Sequence, residues 1–125
     1  MAQVQSLTAA CGVLPGTAVD QETMRRTLRA VMEKWNWGTC WGWDFPMVAM
    51  TAARIGEPGI AIDALMMKTP RNHYLPNGHN YLHGELPVYL TGNGSLLAAV
   101  AMMARGWEGA PDRNAPGFPE DGSWS

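Results

Sequence analysis

The chain has 125 residues, enough for one hydrophobic core and for no more than one domain or part of one. An apolar fraction of 46% excludes wholesale disorder, and a formal charge of −2 argues against nucleic acid or an anionic membrane as main partner. Charged residues make up only 16%, and 14 Gly, 9 Pro, 6 Trp and 9 Met fit buried helices joined by long shaped loops better than a free-standing helical bundle.

The N-terminal residues Met1 to Gln5 lack the basic and apolar regions of a signal peptide. No apolar run approaches the ~18 residues of a membrane span, so the chain itself gives no address. Cys11 and Cys40 suggest neither a disulfide framework nor a zinc site and read as small buried hydrophobes.

In chain order, Gln3 to Cys11 has the pattern of a short helix closed by Gly12. Asp20 is an N-cap for a helix to about Trp35, with Met24, Leu28, Val31, Met32 and Trp35 on one face. Asn36 to Asp44 is an aromatic loop. Pro46 to about Ile55 reads as the next helix, with Pro in the first turn and Gly56 after the end. Another starts at Glu57-Pro58 and stops before Pro70. Thr69 to Asn93 shows no helical or strand period, and a structureless loop that long is usually functional. Leu96 to Ala104 is a helix apolar all round, which needs cover on every side. A Pro- and Gly-rich tail runs from Gly106 to Ser125. No fixed repeat period is present. The greasy helix, the long loop and the abrupt end predict that partner helices lie outside this chain.

Three segments carry candidate chemistry. In the first, Trp35, Trp37, Trp41 and Trp43 lead into Asp44 at the mouth of a helix. Indole faces stack on pyranose C–H faces, and a carboxylate beside them serves sugar hydrolysis as base, nucleophile or hydroxyl acceptor. The competing interpretation makes Asp44 a helix cap and the Trp residues core filling. The second runs from Asn72 to Glu85 and offers amides, imidazoles and phenols that can bind hydroxyls. His73, His79 and His83 stand at no metal-ligand spacing, so no metal is expected; the plain alternative is a surface loop. The third, Gly92-Asn93-Gly94-Ser95 before the apolar helix, can expose N–H groups to an anion or a sugar oxygen, or act as a simple Asn cap. The helical residues Met47, Met50, Met66, Met67, Met102 and Met103 are assigned to the core.

A glycosidase needs two opposed carboxyls. Glu85, Glu108, Asp112, Glu120 and Asp121 are available on loops, but nothing local pairs one with Asp44.

Trp41-Gly42-Trp43-Asp44-Phe45-Pro46-Met47, Thr51 to Gly56, Leu75-Pro76-Asn77-Gly78-His79-Asn80-Tyr81, Leu90 to Leu97 and Pro116-Gly117-Phe118-Pro119 together resemble the C-terminal part of bacterial (α/α)6-barrel glycoside hydrolases, similar to families 65 and 95. The pattern departs at Thr91 and Ser95, where a Pro and a further Gly are expected. The resemblance implies an all-α fold, with residues 1–125 as an incomplete C-terminal part of a catalytic barrel. It also implies an inverting hydrolase or phosphorylase of α-linked sugars that uses no cofactor. Asp44 then corresponds to the late-segment base, and Trp41, Trp43, His79, Asn80 and Asn93 to substrate contacts. The general acid would sit on an earlier segment, so the piece alone would be inactive. Its partners would be an oligosaccharide or glycoside and the remaining barrel helices. The alternative from another class is a small stand-alone helical module that binds carbohydrate or protein without catalysis.

Overall fold

The computed structural model describes residues 11, 12 and 14–123; the helix expected from Gln3 falls almost wholly outside them. Among the described residues the fold is mostly helical, with four helices and one small two-stranded antiparallel sheet. That sheet corrects an all-α expectation.

Helix α1 spans Gln21–Lys34. Asp20 caps it as expected, its Oδ2 accepting from Thr23 N at 2.7 Å, and Met24, Leu28 and Val31 face the core. Helix α2, Asp44–Arg54, is the centre of the molecule: Phe45, Val48, Ala49, Ala52 and Ala53 are buried, and it packs against α1, α3 (Pro58–Leu65) and α4 (Leu90–Arg105). Its small residues let neighbouring backbones come close while Phe45 and Leu28 fill the volume between them. Gly56, at φ +78°, turns the chain from α2 to α3. Arg25 crosses to that corner: its Nε meets Glu57 Oε1 at 3.0 Å and its Nη2 donates to Ile55 O at 2.7 Å. Met50 and Met103 are buried as expected, but Met66, at the end of α3, is 67% exposed.

The segment without visible period contains the hairpin. Strands β1 (His73–Tyr74) and β2 (Asn80–Tyr81) pair His73 with Tyr81 and Tyr74 with Asn80 around a turn in which Gly78 takes φ +88°. Two-residue strands are too short for alternation to register as a pattern. Asn72 anchors the entry, donating to Leu65 O and Met67 O at 2.9 Å each and so satisfying carbonyls at the end of α3.

Helix α4 begins at Leu90, well before the expected Leu96. Gly92-Asn93-Gly94-Ser95 is therefore helical, and neither a loop of N–H groups nor an Asn cap. The glycines are poor helix formers, but packing overrides propensity here, because Gly92 meets Asn80 and Asn93 ties back to the hairpin. The outer face of α4 is open: Leu90, Leu97 and Val100 are 61%, 71% and 40% exposed. The tail folds over the far end, where Gly117 N donates to Met103 O at 2.9 Å and Arg113 Nη2 donates to Pro116 O and Phe118 O.

Candidate functional site

The aromatic segment divides by burial. Trp37 enters the core, its ring 5.2 Å from that of Phe45 and its Nε1 donating to Met32 O, so this indole is packing. Trp35 is half-buried against the same cluster. Cys40 is buried and donates to Trp37 O, and burial pushes its thiol up to about 12, which leaves it inert as a nucleophile. Cys11 is also buried, and both cysteines are free.

Asp44 opens α2 instead of preceding it. Its Oδ2 accepts from Trp41 N at 2.9 Å, and its own N–H donates to Trp41 O at 3.0 Å. The side chain therefore closes the Trp41–Asp44 turn and does not cap the helix; the N-cap residue, Trp43, makes no side-chain cap bond. Only 2% of Asp44 is exposed, and Oδ1 has no partner within the protein. Burial raises its pKa to about 6, against the lowering effect of the Trp41 N–H. Beside it, Trp43 Nε1 is also buried without a partner.

Asn80 is the second fully buried polar residue of the site. Its Nδ2 donates to His73 O at 3.0 Å, its backbone N to Asn93 Oδ1 at 2.9 Å, and its O accepts from Tyr89 N at 2.8 Å. Asn93 Nδ2 donates in turn to Gly78 O. The Asn80 Oδ1 lies 2.2 Å from where a Cβ would stand on Gly42 and equally close to one on Gly92. Only hydrogen at both positions admits this amide. Its Oδ1 is likewise unpartnered within the protein.

Tyr89 closes the group. It is buried, and its ring centroid lies 5.9 Å from that of Trp41 at 33°. Burial raises its phenol, with a smaller push from the Asp44 charge, against a bond to Thr91. Trp41, 41% exposed, is the outermost of these rings. A pair of this geometry contributes about 0.5–1.5 kcal/mol beyond the area it buries.

The structure thus joins Trp41 to Asp44 and Asn80 to Asn93, and links the two pairs through Gly42 and Tyr89. Trp43 adds its indole from the same turn. His79 stays in the hairpin turn, held by its backbone through Leu75 N and Asn77 Oδ1. Sequence reasoning missed Tyr89, and it named Gly42 and Gly92 within their segments without the close approach to Asn80 that the structure gives them. Glu85, Glu108, Asp112, Glu120 and Asp121 are exposed. Among the described residues no group of three or more His, Cys, Asp or Glu could hold a metal, and His73 instead meets Tyr81 edge-on. Hollows of about 590 Å³, bounded by Leu65, Met67, Asn72 and Tyr74, and about 500 Å³, bounded by Arg113, Phe118 and Glu120, lie apart from Asp44. No helix among the described residues is long and apolar enough to cross a membrane.

No protein-family model matches the chain, and neither the curated proteins nor the solved structures contain a match to it.

Proposed function

We propose that the chain is part of a carbohydrate-active helical barrel, in which Asp44 acts as base or water-orienting carboxylate toward an α-linked glycoside. The supporting observation is the Asp44 carboxyl itself: buried, raised to about 6, with one oxygen uncommitted and the other bonded to the backbone N–H of the exposed Trp41. A carboxyl that titrates near neutrality suits proton transfer, and an indole beside it suits a sugar ring. Trp43, Asn80, Asn93 and His79 would complete the sugar contacts. The general acid would come from another segment of the parent protein, and its helices would cover the apolar face of α4.

The test is Asp44→Asn in the parent enzyme, with sugar release from α-glycosides as the readout. The expected loss is about 10²–10⁴-fold, the usual contribution of a positioned base. Near-normal turnover overturns the proposal. The exposed Trp41 with Val88 and Leu90 beside Tyr89 supports a second reading, a stand-alone carbohydrate- or protein-binding module. Sugar-dependent quenching of Trp fluorescence in the isolated chain would favour it.

A further inference from the structure

The sequence holds two Asn-Gly pairs, Asn77-Gly78 and Asn93-Gly94, and the fold treats them oppositely: the first lies in the exposed hairpin turn, the second inside α4. Because glycine carries no side chain, its backbone nitrogen is free to attack the amide of the asparagine before it. We propose that Asn77 is a self-modification site, at which the turn converts its own asparagine through a cyclic imide to isoaspartate and aspartate, while Asn93 is kept intact. The Gly78 N–H gives up its proton, the nitrogen bonds to Asn77 Cγ, and the Cγ–Nδ2 bond breaks to release ammonia. Water then opens the ring at either carbonyl and leaves a carboxylate. Nothing is oxidised or reduced, and water is the one co-reactant.

Asn77 and Gly78 are both exposed, and nothing lies within 4 Å of where a Cβ would stand on Gly78. Asn77 Oδ1 accepts from His79 N at 3.1 Å. A side-chain oxygen bonded two residues ahead folds its carbonyl carbon toward the intervening peptide nitrogen, the direction the attack needs. The same His79 N–H sits on the oxygen where negative charge develops as the ring closes. One bond opposes the reaction, Gly78 N donating to Leu75 O at 2.8 Å. On an exposed turn such a bond exchanges for water at small net cost. Asn93 is tied at both ends of its amide, Oδ1 accepting from Asn80 N at 2.9 Å and Nδ2 donating to Gly78 O at 2.8 Å. Ring closure there waits until that part of the fold opens. The isoaspartyl product adds a methylene to the backbone beside Gly78, whose carbonyl holds Asn93, so the modification bears on the tie between the hairpin and α4.

The test holds the native chain in neutral buffer made with heavy-oxygen water and follows both asparagines by peptide mass spectrometry. Asn77 is expected to convert at least about tenfold faster than Asn93, whose reaction waits on an open state populated at no more than about 10%. Isoaspartate should exceed aspartate at 77, since the imide route gives both and direct hydrolysis of the amide gives aspartate alone. In guanidinium, with the fold lost, the two residues should convert at similar rates. Asn77→Gln, whose ring would need a sixth member, should remove conversion at 77. An Asn77 that keeps its amide in the native chain, converts less than about tenfold faster than Asn93, or yields aspartate alone overturns the proposal. So does the same contrast persisting in guanidinium, which would place its cause in the sequence and not in the fold. The experiment uses no sugar, so this proposal and the glycosidase reading fail separately.

Discussion

An aspartate buried without its full set of hydrogen bonds makes folding sensitive to acid in an unusual direction. The folded-state pKa of Asp44 is about 6 against an ordinary 3.8, so the folded chain binds the proton more tightly than the unfolded one. Stability from this residue is therefore greatest below about pH 4 and declines as pH rises to about 6, beyond which it is level. The full difference is about 3 kcal/mol at 1.36 kcal/mol per pKa unit. Urea titrations from pH 4 to 7 should show that decline in the native chain and lose it in Asp44→Asn, which should also be the more stable form above pH 6. A native chain that gains stability across the window would mean that Asp44 is hydrated.

At the scale of elements, α4 makes the sharpest test because two of its glycines should answer oppositely to one substitution. In a helix interior, Gly→Ala ordinarily stabilises by about 0.5–1 kcal/mol. Gly94 has nothing within 4 Å of an added Cβ, so Gly94→Ala should raise the melting temperature. At Gly92 the added Cβ would lie 3.2 Å from Asn80 Cβ and still closer to the amide, so Gly92→Ala should destabilise, by about 1–3 kcal/mol as overpacking does. Thermal denaturation of the two variants checks both signs, and equal effects would contradict the packing of Asn80.

These glycines also explain what the sequence concealed. Helix α1 was legible because Asp20 and the Met24-Leu28-Val31 stripe are local signals. The start of α4 was not, since Gly92-Asn93-Gly94-Ser95 has the propensity of a loop and is held helical by contacts with a hairpin itself too short to announce a period. In the site, Trp41 and Asp44 could be paired from their spacing alone. Asn80 and Asn93 could be nominated by residue type, but their bond depends on how the hairpin meets α4, which no local pattern encodes.

For the whole molecule, the unpartnered face of α4 decides how the chain behaves in solution. Leu90 and Leu97 project from one uncharged side of a helix whose opposite side is core, an exposure that favours association. Sedimentation at rising concentration should show self-association of the native chain, and Leu97→Glu should abolish it while changing folding stability by no more than about 0.5 kcal/mol, the usual range for surface changes. A strictly monomeric native chain would contradict this.

The Asn80 amide also ties together distant parts of the chain. At two positions far apart in the chain, 42 and 92, the nearest obstacle to a side chain is one and the same oxygen. Substitutions at these three positions will not combine additively, since each changes the room left for the others. A shorter residue 80 removes that oxygen from both positions, although the Tyr89 ring still crowds 42 and the Cβ of residue 80 still crowds 92, and enlarging either glycine while the asparagine remains forces the amide to shift. Gly42, Asn80 and Gly92 are therefore coupled by sterics, and a change at one alters what the other two tolerate.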